Sequence, residues 1–477
     1  MASTEKFLAH VKLQTFATLM HEGVHLVTEG LWDAPKALLT TLALHATQKH
    51  IVILTSRERH LFDDFFYFSG QDPLEFPAWE TLPSEEVPPS PDIVGERYRV
   101  LRAIQESTTP QVILTNLHAV LQKLLSPKRL QNMHLILKEK SEVPFTELPQ
   151  VLAEMGYHRK SVAADKGEFA VRGGIIDLYP VNSPDPFRIE FWEDEIVSIR
   201  KYDPISQTSV GRVQEILVTP GEELELLTQE STLATLFDYL GTETLVVFDE
   251  PADLEEKYVA LKQMACANGR TFISLEELLN AISSLQKLYF SEIALEDISP
   301  VKLIDRATNT VTFESCNHTL KASRWLHPFF PLFPSFCPPE HPIDDFSVDQ
   351  FLQVLSQTPE KIETRFLYQN ASEKSALQER LNKLEKPIEG IFEKGYLSSG
   401  FFLQEPSLAL VPMTEITHRY KIRRQKQRTH YHTLPVEMLS ISPGEAVVHM
   451  NNGIGRYLGI EKRPNHLGVE TEFMLLE

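Results

Sequence analysis

Residues Glu29 to Leu39 read Glu-Gly-Leu-Trp-Asp-Ala-Pro-Lys-Ala-Leu-Leu (EGLWDAPKALL), and the class of the first half of the chain turns on them. A loop that cradles phosphate between a strand and a helix has the pattern G-x-x-x-x-G-K-[ST]. Gly30 and Lys36 stand at the right spacing, but Pro35 holds the place of the second glycine and Ala37 that of the hydroxyl residue. In a working loop, backbone N–H groups point at the phosphates, the lysine reaches them, and the Ser or Thr hydroxyl ligates Mg²⁺. Pro35 removes one N–H and fixes φ near about −65°, where glycine's freedom is used. Ala37 removes the metal ligand, and Trp32 puts a ring where a triphosphate would lie. Further on, Leu245 to Glu250 (LVVFDE) has the form of the apolar strand whose acidic end holds Mg²⁺ in such proteins, although a strand ending in Asp-Glu is often only a solvated strand end. Together, Gly30, Pro35, Lys36, Ala37, Asp249 and Glu250 read as a vestigial, non-functional nucleotide site.

Working outward, the flanking sequence is α/β. Asp33 is a candidate N-cap for a helix over Ala34 to Thr47, with Pro35 in the first turn, where proline is tolerated. Strands are expected at Val24 to Thr28, Ile51 to Thr55, Gln111 to Thr115 and Thr244 to Phe248, with helices at Thr4 to Met20 and Ile93 to Gln105. Such alternation implies a parallel sheet covered on both faces. It is interrupted from Glu168 to Tyr202 by the short strands EFAVR, GIIDLYP, PFRIEFW and EIVSIRKY, joined at turn-forming Gly173–Gly174, Asn182 to Asp185 and Glu193–Asp194. This is an antiparallel meander inserted into the α/β domain. Alternation turns Phe169, Val171, Phe187, Ile189 and Phe191 toward a core and Arg172, Arg188, Glu190 and Trp192 to the opposite face. Two readings of that face stand side by side: a solvated surface with weak cross-strand charge pairs, or a protein-docking face, since Trp and Arg dominate interface hot spots.

Six prolines between His327 and Pro342 exclude regular structure and mark a linker. Lys361 to Gln369, Glu373 to Leu384 and Ser407 to Val411 then form a small α/β unit. Arg419 to Arg428 (RYKIRRQKQR) holds six basic residues, read as a charged linker or a local contact with DNA or neighbouring domains. Short strands at Glu445 to Met450, Gly455 to Ile460 and Val469 to Leu476 suggest an incomplete barrel.

The 477-residue composition, 42% hydrophobic and 23% charged, is that of a globular chain with several domains. Its apolar runs fall far short of the roughly 20 residues that span a bilayer, and Met1 to Lys12 has no signal-peptide pattern, so a cytoplasmic protein without a membrane partner is expected. Cys266, Cys316 and Cys337 lie far apart with no C-x-x-C, which reads as thiols of a reducing compartment. A net charge of −20 argues against general affinity for phosphate backbones. The His430-Tyr431-His432 cluster lacks a Cys or acidic partner at metal-ligand spacing, so no metal site is expected.

Three stretches together resemble the bacterial transcription-repair coupling factors, the Mfd family: Phe76 to Arg102 (FPAWETLPSEEVPPSPDIVGERYRVLR), Gly167 to Thr208 around the meander, and Pro443 to Ile460 (PGEAVVHMNNGIGRYLGI). The second is similar to the domain that Mfd shares with the excision-repair protein UvrB. The third is similar to the start of Mfd's RNA-polymerase-interacting domain, with Asn452 in place of that motif's second His. UvrB itself has an intact phosphate loop and an aromatic-rich hairpin, whereas Glu80 to Pro91 here contains no tyrosine. The resemblance implies an α/β multidomain chain: a degenerate P-loop-type domain 1a (1–126), an inserted UvrB-like domain 2 (127–208), domain 1b (209–326), a proline-rich linker (327–345), a small α/β domain 3 (346–418), a basic linker (419–436), and the start of a CarD-like, SH3/Tudor-like barrel (437–477). It implies that Arg172, Arg188, Glu190 and Trp192 recruit UvrA, and that Val448, His449, Gly453, Gly455, Arg456 and Tyr457 belong to the segment that grips the RNA polymerase β subunit. The ATP-driven DNA translocase, with its ATP, Mg²⁺ and most DNA contacts, is expected downstream, so the chain reads as a fragment or truncated product with no cofactor of its own, a monomeric scaffold rather than a motor. The alternatives are a UvrB-like excision-repair subunit or an ATP-dependent helicase in its own right, but no G-x-x-x-x-G-K-[ST] occurs in the chain, which leaves its status as an enzyme open. A transcription regulator acting through the polymerase-binding segment alone is disfavoured, because unpaired strand edges are prone to aggregate.

Overall fold

The computed structural model describes residues 7, 11–56, 58–81, 87–204, 206–264, 271–292, 318–321, 326–327, 352, 356, 362–384, 388, 390–403, 408–414, 444, 446–449, 453–464 and 470–476. The basic segment at 419–428, the His430-Tyr431-His432 cluster, the three cysteines and the proline-rich stretch beyond His327 lie outside them. Among the described residues, no helix is long and apolar enough to cross a membrane.

The first sheet is wholly parallel. Its spatial order is His318–Lys321, Leu26–Glu29, Gln286–Ser291, Thr244–Asp249, His50–Leu54, Val112–Thr115 and Leu74–Phe76. Successive side chains of His50–Leu54 serve opposite cores, which is why the run is continuously apolar. Ile51 and Ile53 pack with Phe16, Leu38 and Phe65 of the helices Val11–His21, Asp33–Thr47 and Glu58–Ser69. Val52 and Leu54 pack with Tyr98, Leu121, Leu254 and Leu278 of the helices Pro91–Glu106, Leu117–Leu121, Pro251–Met264 and Leu275–Ala281. Full burial of each such aliphatic side chain contributes about 1.5–3 kcal/mol. The Trp79 of the WETLP segment is buried too. Its indole N–H donates to Glu223 Oε2 at 2.6 Å, and the same carboxylate takes Arg97 Nε at 2.8 Å, with Gln122 Oε1 and the Pro77 carbonyl accepting from Arg97 Nη1. A buried ion pair is tolerable only when its remaining donors are satisfied in this way.

The chain leaves the first sheet after residue 115 and rejoins it at residue 244. In between lies a six-stranded sheet, larger than the expected four-strand meander, in the order Ser209–Val213, Glu195–Tyr202, Phe187–Trp192, Ile175–Tyr179, Glu168–Arg172, His158–Arg159. Only the last pair is parallel. A ribbon of Leu135–Lys138 on Glu215–Val218 and the helix Leu148–Glu154 cover one face, enclosing Phe169, Ile176, Leu178, Phe187, Ile189, Phe191, Ile196 and Ile199. The pairing therefore continues past residue 208, where the sequence reading ended this unit.

A third, mixed sheet runs Leu326–His327, Phe401–Leu403, Leu408–Pro412, Glu363–Tyr368, Gly390–Lys394, with the helix Ala371–Leu381 begun by Asn370, whose side chain accepts the Glu373 N–H. His327, assigned by sequence to the linker, is instead paired with Phe402. Finally, Ala446–His449, Gly453–Pro464 and Glu470–Leu476 form a three-stranded antiparallel sheet.

Candidate functional site

Open parallel sheets place ligands at the carboxyl ends of their strands, and the loop at Gly30 lies there. Gly30 turns the chain with φ +69°, a conformation suited to glycine. The Leu31 N–H then donates to the Ser291 carbonyl at 2.9 Å. The helix starts one residue earlier than expected: Trp32 is the N-cap, without a side-chain cap bond, and Asp33 lies in the first turn, so the expected Asp33 cap is not made. There its charge still complements the helix dipole. Pro35 offers no donor, the Lys36 N–H is directed to the Trp32 carbonyl at 3.3 Å, and the Ala34 N–H donates to Ser399 Oγ at 3.3 Å. Ala37 is wholly buried in the apolar cluster.

Lys36 is also buried. Its Nζ lies 2.7 Å from Asp249 Oδ1, 2.7 Å from Glu250 Oε1 and 3.6 Å from Glu292 Oε1. Asp249 Oδ2 accepts from Thr55 Oγ1 at 2.7 Å, and Glu250 Oε1 accepts the Glu292 N–H at 3.0 Å. Burial alone would lower the Lys36 pKa, but the Asp249 and Glu250 carboxylates hold it above its ordinary value. All six residues read as a vestigial site are thus brought together at the strand ends, and the lysine is bonded directly to the acidic pair.

The second candidate is the open face of the inserted sheet. Arg172 is exposed, its Nη2 donating to the Ser161 carbonyl at 2.7 Å. Trp192 is 73% exposed at the end of its strand, beside Glu195. Arg188 is more constrained than alternation suggests. Its side chain is 18% exposed, with Nε 2.7 Å from Asp177 Oδ1, Nη2 2.8 Å from Asp177 Oδ2, and the guanidinium 5.0 Å from the Tyr202 ring centre. Glu190 Oε2 accepts from Ser198 Oγ at 2.7 Å and Arg200 Nη2 at 2.6 Å.

Sequence reasoning missed Asp177, Arg200, Arg212 and Gln207. Arg188 pairs across strands with Asp177 and Arg200, and Arg200 with Arg212, so they form one row. Gln207 adds Oε1 as a 3.2 Å acceptor for Arg188 Nη2. For Arg200 the cause is a β-bulge, whereas Asp177 falls on the open face by simple alternation between Ile176 and Leu178. Glu190 faces Ser198 and Phe191 faces Ile196, leaving Val197 as the extra residue and shifting the phase of the strand by one. The signal available in sequence was only the out-of-phase pair Ile196 and Ile199.

In the last sheet, His449 pairs with Gly453, Val448 with Ile454, and Val447 with Gly455. Arg456 is exposed and Tyr457 buried, with the Tyr457 carbonyl accepting the Gly444 N–H at 2.6 Å.

Comparison with known proteins agrees with these units. Residues 135–224 match the UvrB interaction domain, which begins at the ribbon strand Leu135–Lys138 and ends beyond its partner, and residues 441–477 match the CarD-like/TRCF RID domain. Proteins named transcription-repair-coupling factor from Staphylococcus haemolyticus, Haemophilus influenzae and Bacillus subtilis are 24%, 24% and 23% identical over 92%, 86% and 93% of this chain. The resemblance to transcription-repair coupling factors drawn from the motifs therefore holds along nearly the whole chain. The matches cover 42%, 39% and 42% of those proteins, so the chain spans about two fifths of the length of the relatives it matches.

Proposed function

We propose that the chain acts as the N-terminal part of a transcription-repair coupling factor, a scaffold that links stalled RNA polymerase to nucleotide excision repair by recruiting UvrA. The open face of the inserted sheet is the UvrA-docking surface, with Trp192 as its apolar anchor, Arg172 as a reachable charge and Arg188 held in place by Asp177. The strands from Ala446 onward, as the opening of an SH3/Tudor-like barrel, contact the polymerase β subunit. DNA translocation driven by ATP and Mg²⁺ belongs to a motor outside these residues. The site around Lys36, in a split domain of degenerate P-loop type, binds no nucleotide, and the chain works as a cytoplasmic monomer.

One observation carries the docking assignment. A tryptophan that is 73% exposed stands on a sheet face lined with arginines, while the strand's other apolar side chains, Phe187, Ile189 and Phe191, are buried. Exposed Trp beside Arg is the combination that dominates interface hot spots. The test is capture of UvrA by the 477-residue chain, comparing wild type with Trp192→Ala and Arg172→Glu. Arg172→Glu is expected to abolish capture and Trp192→Ala to weaken it, while the circular dichroism melt stays unchanged; undiminished capture by the pair overturns the assignment.

A further inference from the structure

Between the strands Gly390–Lys394 and Phe401–Leu403, the third sheet sends a loop back onto the first. It crosses the N-terminal end of the helix Asp33–Thr47 and the flank of the helix Glu58–Ser69. Ser398 donates twice to the wholly buried Asp64, N–H to Oδ1 at 2.6 Å and Oγ–H to Oδ2 at 2.5 Å. The next residue, Ser399, accepts the Ala34 N–H at 3.3 Å. That amide lies in the first turn, where a helix offers unpaired donors to an anion. Leu397 and Phe401 are buried on either side in the same apolar cluster as Leu31, Ala34, Ala37 and Leu38, and the Phe401 ring lies 6.4 Å from that of Phe68. At Gly395 the approach is so close that an added Cβ would stand 2.5 Å from Tyr67 Cε2.

We propose that the loop at 395–400 is the resident occupant of the abandoned phosphate site, a neutral intramolecular ligand that fastens the third sheet to the first. The inference rests on reading the Lys36 site as a relic, and goes beyond it by naming what has taken the phosphate's place. A buried helix terminus needs acceptors, because an orphaned N–H loses its bonds to water without return. Phosphate would meet Asp249, Glu250 and Glu292 around Lys36. A serine hydroxyl brings an acceptor without charge, and its leucine and phenylalanine neighbours extend the apolar cover. The two sheets then move as one body. Displacing the third from the first exposes both the helix terminus and the Asp64 carboxyl.

The experiment uses the full chain and hydrogen exchange read by mass spectrometry. In the Ser398→Ala/Ser399→Ala variant, peptides spanning 31–38, 58–69 and 397–403 are expected to exchange at least tenfold faster, while the 168–202 peptides of the inserted sheet keep wild-type protection. Unchanged rates in the first three peptides overturn the proposal. Acceleration that extends equally to 168–202 also overturns it, since the loop would then serve only general stability. A second variant, Leu397→Asp, drives the loop out by charge burial and is expected to give the same local pattern with larger amplitude; a wild-type profile overturns the proposal. Titrating the double-alanine variant with Mg·ATP separates the two readings. No binding is expected, and saturable binding lost in Lys36→Met overturns the relic while leaving the exchange result to judge the latch.

Discussion

The strand ends around Lys36 and the open face around Arg188 use the same chemistry in opposite ways. Each sets a cation against carboxylates on a sheet, at distances near 2.7 Å. Around Lys36 the lysine, Asp249 and Glu250 are buried and bonded to one another within the fold, with only Glu292 reaching toward solvent. On the inserted sheet Arg188 is only partly covered in its pair with buried Asp177, while Trp192 keeps most of its surface in solvent and Arg172 is exposed. Residue type alone does not separate a structural ion pair from a recognition surface. Burial and spare bonding capacity do.

The largest test of that contrast is Lys36→Met. Removing one partner of a buried pair leaves the others uncompensated, at a cost of about 3–5 kcal/mol. A lower urea midpoint for the first-sheet unit is expected, whereas a ligand-binding lysine would be lost with little change. The combined Lys36→Met/Asp249→Asn/Glu250→Gln variant is expected to recover most of the loss.

Arg188→Glu sharpens the comparison from the other side. It sets a second carboxylate against buried Asp177, so a loss of about 3 kcal/mol in the inserted sheet is expected alongside lost UvrA capture. Arg172→Glu is the cleaner probe, with capture lost and the melt unchanged. Trp192→Ala is expected to weaken UvrA binding by about 2 kcal/mol, roughly 30-fold by calorimetry, with stability within about 0.5 kcal/mol of wild type. An unaltered affinity would move the anchor elsewhere on the face.

A smaller effect concerns pH. Burial, with Asp33 and Asp63 nearby, outweighs the two Ser398 donors and raises the Asp64 pKa to about 8. A carboxyl raised in the folded state favours folding fully at low pH, and that contribution is lost as pH rises from its unfolded value through the folded one. Protection of 397–403, corrected for intrinsic exchange, is therefore expected to fall between pH 5 and about 8 in wild type and to stay flat in Asp64→Asn. The smallest effect is at the half-exposed pair Arg200–Glu190, where a double-mutant cycle should return no more than about 1 kcal/mol.

Much of this was legible in the residues. The apolar run Ile51 to Thr55 announced a strand buried on both faces. The alternation in PFRIEFW separated core from open face correctly, as the burial of Phe187, Ile189 and Phe191 attests. Local pattern failed where it depended on a distant partner. The phase of Glu195–Tyr202 changes at Val197, because the neighbouring strand accepts one residue against two, and this hid Arg200. The first turn of the Asp33–Thr47 helix takes its acceptor from Ser399, a residue 365 positions from Ala34 in the chain. No local cap rule could find it.

The sequence by itself determined that Pro35 and Ala37 stand where a phosphate loop needs glycine and a hydroxyl, because backbone freedom and metal ligation are properties of single residues at fixed spacing. It determined the parallel and antiparallel segments as well, since burial on one face or two writes a period into the chain. Only the tertiary structure decided what Lys36 does instead, which arginine is locked against a buried carboxylate and which stays exposed, and where the loop at 395–400 rests. Those outcomes depend on burial and on bonds between groups far apart in sequence, and a charge buried beside two carboxylates behaves unlike the same charge in water.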